Sequence, residues 1–290
     1  MPTKDDQRLR VRKTYKLYVG GAFPRSESGR SYPINSPSGK LLAHAAQASR
    51  KDVRDAVVVA RKAFAGWSGA TAYNRGQVLY RVAELLDGRR EQFTAQVQQA
   101  EGGTARAAAA QVDAAIDRWV YYAGWADKYA QVAGGTNPVA GPYFNFSLPE
   151  PTGVVAVVAP QDSSLLGLVS VLAPTLTTGN TAVILASETR PLPAVSLAEV
   201  LATSDVPPGV VNLLTGFTTE LSPWLASHRD INAIDLTGVP AGARRELQIA
   251  AADNVKRVLV PAAPDWAADP GTSRLAAFVE TKTVWHPIGV

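Results

Sequence analysis

The hydrophobic pattern of the chain changes near residue 150. Before that point apolar residues recur three and four positions apart, as in amphipathic helices, over about 53–67, 78–86 and 105–129. After it, short β-branched runs alternate with helical segments, and they lie at 154–158, 182–186, 210–214, 232–236 and 256–260. Strands that alternate with helices predict βαβ units. We therefore expect an α/β fold, with N-terminal helices and a doubly wound parallel sheet covered on both faces.

Local signals at the two ends of the chain predict further elements. Ser49 followed by Asp52 is typical of a capping box, which places the start of the first helix. Near the other end, 274–278 has a helical pattern, and 279–285 then alternates apolar and polar residues. This alternation predicts a half-buried strand with no helix after it, so its partner is a sheet edge in the same subunit or in another.

Composition and charge narrow the class of protein. The 290 residues are 46% hydrophobic and 19% charged, which is a globular composition of about two domains. Residues 1–16 hold six basic and two acidic side chains, which accounts for the whole net charge of +4. We therefore predict a basic tail over 1–14 and no nucleic-acid-binding face. No apolar run is long enough for a membrane span or a signal peptide, so we expect a cytoplasmic protein.

Two kinds of chemistry are excluded by residue type. The sequence has no cysteine, which removes disulfides, cysteine metal sites and any thiol nucleophile. Its histidines are His44, His228 and His286, and they lack the spacing of metal ligands, so we predict no metal site.

Ordered motifs along the chain carry a resemblance to a known family. They are Leu17–Gly21, Asn35–Gly39, Thr152–Pro160, Leu172–Pro174, Thr178–Thr181, Ser187–Glu188, Val206–Gly216, Leu236–Gly238 and Asn254–Val258. In this order they resemble the nucleotide-binding domain of the aldehyde dehydrogenase superfamily. The resemblance implies a Rossmann-like sheet of aldehyde dehydrogenase type, and it covers about residues 15–265.

The resemblance also implies a domain division and a missing part. Residues 15–265 are similar to the nucleotide-binding domain, with an arm at about 135–152. Residues 266–290 are similar to a linker followed by the C-terminal oligomerisation strand. The family's catalytic domain, which supplies the cysteine nucleophile, lies between these two parts. Here only about fifteen residues join them, so we predict a truncated, degenerate member that lacks the catalytic domain.

The catalytic positions that the resemblance identifies carry unsuitable residues. Asp162 stands where the family has the asparagine that holds the oxyanion, and a carboxylate repels developing negative charge. We expect Asp162 to cap the next helix instead. Pro261 stands at the position of the general-base glutamate and accepts no proton. We therefore predict no catalytic residues.

The cofactor positions are better preserved. The resemblance implies NAD or NADP, and its candidate contacts here are Pro160, Ser187, Glu188, Gly216, Thr237 and Gly238. Glu188 is either an acceptor for ribose hydroxyls or a solvent-facing carboxylate at a helix start. Leu185 replaces the ribose-binding lysine and Val239 replaces the pyrophosphate-binding serine. We expect dinucleotide binding to be weak or lost.

The leading hypothesis is a non-catalytic protein, a pseudoenzyme, that assembles with itself or with a complete aldehyde dehydrogenase. By resemblance, the arm Pro142–Ser147 pairs with the strand Val279–Trp285 of another subunit. One alternative is an NAD(P)-binding module without chemistry. The other is an NAD(P)-dependent aldehyde oxidoreductase with residual activity, or with activity completed by a partner.

Overall fold

The chain forms a five-stranded parallel sheet with helices on both faces and two smaller sheets beside it. The computed structural model describes residues 12–262 and 264–289. The strands are β1 (Thr14–Tyr15), β2 (Ser31–Asn35), β3 (Leu41–Ala46), β4 (Gly135–Asn137), β5 (Tyr143–Pro151), β6 (Val154–Val158), β7 (Thr181–Leu185), β8 (Val211–Leu214), β9 (Ala233–Asp235), β10 (Arg257–Leu259) and β11 (Val279–Pro287). The helices are α1 (Arg50–Gly69), α2 (Ala72–Asp87), α3 (Arg90–Glu101), α4 (Ala105–Trp125), α5 (Tyr129–Ala133), α6 (Leu166–Thr177), α7 (Leu192–Leu201), α8 (Thr218–Ser227), α9 (Ala241–Ala252) and α10 (Ser273–Ala277).

The parallel sheet has the strand order β10-β9-β6-β7-β8. Its central strand β6 is buried at every position, which is why the sequence there is a continuous apolar run rather than an alternating one. Val155 and Val157 pack into a core shared with α4 and α6. Val154 and Val158 point to the other face and pack with α1 and α8. The predicted α/β fold with a doubly wound sheet is confirmed.

The N-terminal helices follow the predicted pattern with two differences. The capping box before α1 is present, because Ser49 Oγ accepts the backbone N–H of Asp52 and Asp52 accepts that of Ser49 at 2.8 Å. The single helix expected at 105–129 is two helices, α4 and α5. Helix α3 was not expected. Residues 1–11 of the predicted basic tail lie outside the described residues, and Lys13 pairs with Glu199 at 3.0 Å.

The strand predicted near the C-terminus corrects one expectation. Strand β11 pairs antiparallel with β5 of the same chain over nine residues, from Val279 opposite Pro151 to Pro287 opposite Tyr143. We expected this partner to come from another subunit. The backbone explains the difference, because Thr152 donates to the carbonyl of Phe278 at 3.2 Å. This bond starts β11 directly beside the end of β5, so the pair closes within one chain.

The segment between β10 and β11 is packed onto the fold rather than looped away from it. Leu275 of α10 and Phe278 are buried in the core that also contains α4 and α6. Arg118 of α4 donates to the carbonyls of Trp266 and Ala268, at 2.8 and 3.2 Å. This covering segment therefore packs on α4 and α6, and Arg274 reaches the carboxyl end of β9 by pairing with Asp235.

Candidate functional site

The candidate residues gather at one edge of the parallel sheet. Parallel strands place their carboxyl ends together, and this is where doubly wound folds bind ligands. The turns that follow β6, β7, β8, β9 and β10 contain the sequence-predicted site residues, which are Pro160, Asp162, Ser187, Glu188, Gly216, Thr237, Gly238 and Pro261. The fold thus brings together residues that are up to about a hundred positions apart.

The turn after β6 is held by side chains that bridge to the next strand. Gln161 donates to the carbonyl of Ala159 at 2.7 Å and accepts the N–H of Glu188 at 2.9 Å. Ser187 Oγ donates to the carbonyl of Gln161 at 3.3 Å. These bonds tie the carboxyl ends of β6 and β7 to each other and use the polar groups that face this edge.

Asp162 does not cap the helix that follows, and that expectation was wrong. The Asp162 side chain is exposed, and its backbone carbonyl accepts Arg190 at 2.7 Å. Ser163 supplies the helix contact instead, because its Oγ accepts the N–H of Gly167 at 2.8 Å. A carboxylate in this turn has no hydrogen to donate to an oxyanion.

Glu188 serves the start of a helix that is distant in sequence. Its Oε2 accepts the backbone N–H of Thr218, the first residue of α8, at 2.9 Å. The N-cap residue of α8 is Phe217, which has no side-chain oxygen, so Glu188 takes that role. From the sequence, Glu188 was either a ligand for ribose hydroxyls or a carboxylate at the start of its own helix. In the structure it caps a different helix, α8.

The backbone at Gly238 leaves no room for a side chain, and the backbone at Gly216 is strained and crowded for one. Gly216 has φ +150°, and an added Cβ would lie 3.0 Å from Leu221 Cδ1. Gly238 donates its N–H to the carbonyl of Val158 at 2.9 Å, and an added Cβ would lie 1.9 Å from the Ala159 oxygen. The loop after β9 therefore lies directly against the end of β6, as a close backbone approach requires.

The two residues that replace the family's cofactor contacts, Leu185 and Val239, direct their side chains into the core and not to this edge. Leu185 is fully buried in the core beneath α1 and α8, and Val239 joins the same core at 2% exposure. Pro240 follows as the N-cap of α9 and supplies no side-chain hydrogen bond. Arg244 folds back over this helix start and donates to the carbonyl of Val239 at 2.9 Å.

A buried ion pair occupies the end of β9. Asp235 is fully buried and pairs with Arg274 of α10, whose side chain is 14% exposed, at 2.7 Å. Thr237 donates both its N–H and its hydroxyl to Asp235, and its hydroxyl also accepts Arg274 at 3.1 Å. These three side chains therefore satisfy one another within the protein. Since Thr237 belongs to this network, its hydroxyl is already engaged.

Pro261 lies just beyond β10, next to the covering segment. It lines a cavity of about 270 Å³ together with Leu259, Tyr122 and Trp266. Its ring carries no titratable group, so the position has no acceptor for a proton. Within 12–262 and 264–289, no set of histidine, aspartate and glutamate side chains is grouped as a metal site.

Comparison with known proteins identifies the fold's family. The model of the aldehyde dehydrogenase family matches residues 23–262. This chain belongs to the aldehyde dehydrogenase family. It is 34% identical to human retinal dehydrogenase 2 over 252 residues, which are 85% of this chain and 48% of that protein. It is 33% identical to mouse cytosolic 10-formyltetrahydrofolate dehydrogenase, over 87% of this chain and 28% of that protein.

Solved structures of family members share the fold. HpcC from Thermus thermophilus matches with a TM-score of 0.80 at 31% identity, over 85% of this chain and 47% of that one. The NAD⁺ complex of an aldehyde dehydrogenase from Bacillus cereus matches with a TM-score of 0.79 at 27% identity, over 85% of this chain and 50% of that one. The chain thus spans about half the length of these family members, and 28% of the longer 10-formyltetrahydrofolate dehydrogenase.

Several residues that matter at this edge were missed by the sequence reading. Asp235 is an acid inside an otherwise apolar strand run, and that irregularity was a signal for a buried partner. Nothing in the pattern indicated that Arg274 would be this partner. Arg118 and Gln161 gave no signal, because one lies on an amphipathic helix and the other in a turn, where polar residues are ordinary.

A search of the helices in the described part of the chain finds none with the length and hydropathy of a membrane span.

Proposed function

We propose that this chain is a non-catalytic member of the aldehyde dehydrogenase family that acts in the cytoplasm as a structural or regulatory subunit. The observation that carries the proposal is the content of the carboxyl edge of the parallel sheet. The sequence has no cysteine, and the oxyanion and general-base positions hold Asp162 and Pro261. A thiolate, a hydrogen-bond donor and a proton acceptor are the groups that aldehyde oxidation by this family needs. No catalytic residue is therefore assigned.

The same edge supports a weak or lost dinucleotide site. The candidate contacts are Pro160, Ser187, Glu188, Gly216, Thr237 and Gly238. Family structures have been solved with NAD⁺, and the glycine approach at Gly238 is of the kind that a pyrophosphate uses. Against this, Glu188 already binds Thr218, and Thr237 already binds Asp235. The residues present do not supply a cation for the ribose or a free hydroxyl for the pyrophosphate, so no reaction step is derived through NAD or NADP.

The antiparallel sheet supports the assembly part of the proposal. Its strand order is β11-β5-β4, so β11 is an edge strand of the described chain. Thr281 lies opposite Pro149 and Val279 opposite Pro151. Because proline has no N–H, these are not the hydrogen-bonded pairs of the ladder. The residues of β11 between these positions form the hydrogen bonds with β5. The same alternation continues just past the strands, where the N–H of Ile288 donates to the carbonyl of Pro142 at 2.8 Å.

It follows that Thr281, Thr283 and Trp285 direct their backbone groups away from β5. An unpaired edge of this length is a template for another strand, and Trp285, which is 58% exposed, adds apolar area beside it. We therefore place the docking surface on the outer edge of Val279–Trp285, with Pro142–Ser147 as its inner support. The partner is a second copy or a complete aldehyde dehydrogenase.

Catalysis is tested on the purified chain. With NAD or NADP and a panel of aldehydes, we expect no reduced cofactor above the buffer rate in the absorbance assay, and calorimetry with millimolar NAD or NADP is expected to show little or no heat. Sustained aldehyde-dependent reduction would contradict the pseudoenzyme. Saturable micromolar binding without turnover would favour the alternative, a dinucleotide-binding module.

Assembly is tested by native mass spectrometry after co-expression with a complete family member, and on the chain alone. Thr281→Pro removes one outward N–H opposite a residue that is already proline, so β11 keeps its bonds to β5. Thr281→Ala is the matched control, because it keeps that N–H and removes only an exposed side chain. We expect Thr281→Pro, and not Thr281→Ala, to lose its oligomers at micromolar concentration. If both variants assemble like the unmodified chain, or if the unmodified chain stays monomeric under both conditions, the docking surface is wrong.

A further inference from the structure

The segment between β10 and β11 forms one wall of a cavity whose other walls belong to the part of the chain that the family model matches. The cavity has a volume of about 270 Å³ and lies between α4, the end of β10 and residues 264–274. Leu259, Pro261 and Trp266 supply apolar walls, and Arg118 and Tyr122 of α4 supply polar ones. The family model ends at residue 262, so the wall formed by residues 264–274 lies beyond the matched part of the chain. A cavity of this size admits a small organic molecule.

Arg118 brings a positive charge that forms no ion pair with the described residues. Its side chain belongs to a residue that is only 7% exposed, and Nη2 donates to two backbone carbonyls, those of Trp266 and Ala268. No carboxylate of the described chain lies within 4.0 Å of it. Buried guanidinium groups are normally paired with an acid, because an unpaired charge is costly to bury. Nε and Nη1 of Arg118 make no hydrogen bond within the described residues, so both can donate to a bound anion.

The other charged groups of the cavity are already engaged or exposed. Arg274 is bound to Asp235. Asp265 and Asp269 are exposed, and each accepts a backbone N–H of its own turn, from Ala267 at 2.9 Å and from Gly271 at 3.0 Å. Asp269 is close enough to act electrostatically on Arg118, but neither carboxylate forms an ion pair with it in the described chain, and water weakens the attraction between exposed charges.

Tyr122 contributes a hydroxyl that has no partner. The residue is fully buried, and in the described chain its oxygen makes no hydrogen bond. Burial raises the pKa of Tyr122 to about 12, so the hydroxyl keeps its proton at neutral pH and can donate it. An orphaned buried hydroxyl beside a guanidinium that forms no ion pair in the described chain is a costly combination for a protein that binds nothing there.

We propose that this cavity binds a small monocarboxylate with a compact apolar body. The carboxylate accepts from Arg118 and from the hydroxyl of Tyr122, and the apolar body lies between Leu259 and Trp266. A neutral molecule of the same shape leaves the Arg118 charge unmet, so the site distinguishes acids from their amides. This inference does not depend on assembly or on the absence of catalysis. Its contact residues lie outside β11 and outside the family's reacting positions, and Pro261 contributes only a wall of the cavity.

The test uses benzoate as the probe and benzamide as its neutral counterpart, with isothermal titration calorimetry on the whole chain. We expect benzoate to bind at one site, and benzamide to bind about tenfold more weakly or not measurably, since a charge-assisted bond is lost. No heat with benzoate up to tens of millimolar, or equal affinities for acid and amide, would overturn the proposal.

Tyr122→Phe separates a ligand role from a structural one. The hydroxyl has no protein partner among the described residues, so removing it leaves the thermal unfolding midpoint unchanged or slightly raised. Benzoate affinity is expected to fall by about tenfold or more. Tyr121→Phe is the matched control, since the neighbouring tyrosine does not line the cavity, and it should bind benzoate like the unmodified chain. If Tyr122→Phe binds benzoate unchanged, or if both variants weaken it equally, the assigned contact is wrong.

Discussion

The carboxyl edge of the parallel sheet and the outer edge of the small antiparallel sheet differ in where their polar groups point. At the first edge Gln161, Glu188 and Thr237 make their hydrogen bonds inside the protein. At the second, Thr281 and Thr283 leave backbone groups facing outward. A chemical site depends on particular side chains and is lost by a few substitutions, whereas a strand edge depends on backbone groups that substitution leaves in place. This contrast is the physical reason for proposing docking rather than catalysis.

The two regions are joined near the start of β11, which keeps the second edge in position. Asn180, before β7, accepts the N–H of Gly153 at 2.8 Å and donates to the carbonyl of Phe278 at 2.9 Å. It therefore holds the start of β6 and the start of β11 together. Phe278, at 2% exposure, anchors the same junction in the core. The edge strand β11 is thus held in place by the parallel sheet.

The largest predicted effect is the loss of a buried ion pair at the parallel sheet, compared with the loss of an exposed pair that links β10 to β11. Arg274→Ala leaves Asp235 buried without its cation, which should lower the free energy of unfolding by about 3–5 kcal/mol. Arg257→Ala removes the pair between Arg257 and Glu280 of β11, whose side chains are 42% and 52% exposed, and should cost less than about 1 kcal/mol. Urea denaturation followed by circular dichroism measures both.

A second substitution checks the cause of that loss. Adding Asp235→Asn to the Arg274→Ala variant removes the stranded charge but keeps an oxygen that accepts from Thr237. The double variant should recover part of the lost stability. Equal losses in Arg274→Ala and Arg257→Ala, or no recovery in the double variant, would mean that the covering segment does not depend on the buried pair.

The fold was predictable because its signals are local. The apolar runs at 154–158 and 182–186, the Ser49 capping box and the alternation at 279–285 each reflect a nearby periodicity or cap. Helix α3 was missed because its inward face shows only Phe93, Val97 and Ala100, which is a short and weak pattern. Its other positions are polar or exposed.

For the candidate site, the sequence predicted where its residues lie but not which partners their side chains contact. Sequence motifs located the turns at the carboxyl edge, but the partners of Glu188 and Asp235 come from elements 30 and 39 residues away. Such partners depend on how the chain closes, which no periodicity records. The same reason explains why β11 was assigned to another subunit, since alternation reveals that a strand needs an edge but not whose edge it is.

An intermediate effect is expected from Glu188. Glu188→Ala removes the acceptor for the N–H of Thr218 at the start of α8, so it should cost about 1 kcal/mol of stability, as the loss of a helix cap does. Glu220→Ala is the control, because this half-buried residue lies in the first turn of the same helix but pairs with Arg30 and accepts no backbone N–H of α8, so its loss should cost less. If the carboxylate serves the helix and not a ribose, calorimetry with NAD should give the same result for Glu188→Ala and the unmodified chain. A clear loss of NAD binding on substitution would restore the ligand role.

The smallest effect concerns the antiparallel sheet at low pH. Arg257 donates to both oxygens of Glu280, with Nη2 at 2.6 Å, and holds the pKa of Glu280 below its usual value. Since the folded-state pKa is depressed, this pair stabilises the fold above the ordinary glutamate pKa of about 4.3 and loses that contribution as the pH falls through the folded value. Its exposure keeps the effect under about 1 kcal/mol and makes it smaller in high salt. Comparing Glu280→Gln with the unmodified chain at neutral pH and at a pH of about 3, below the ordinary glutamate pKa, we expect a small stability difference at the higher pH that disappears at the lower one. A difference that persists in acid would show that the glutamine disturbs the strand itself rather than the charge it replaces.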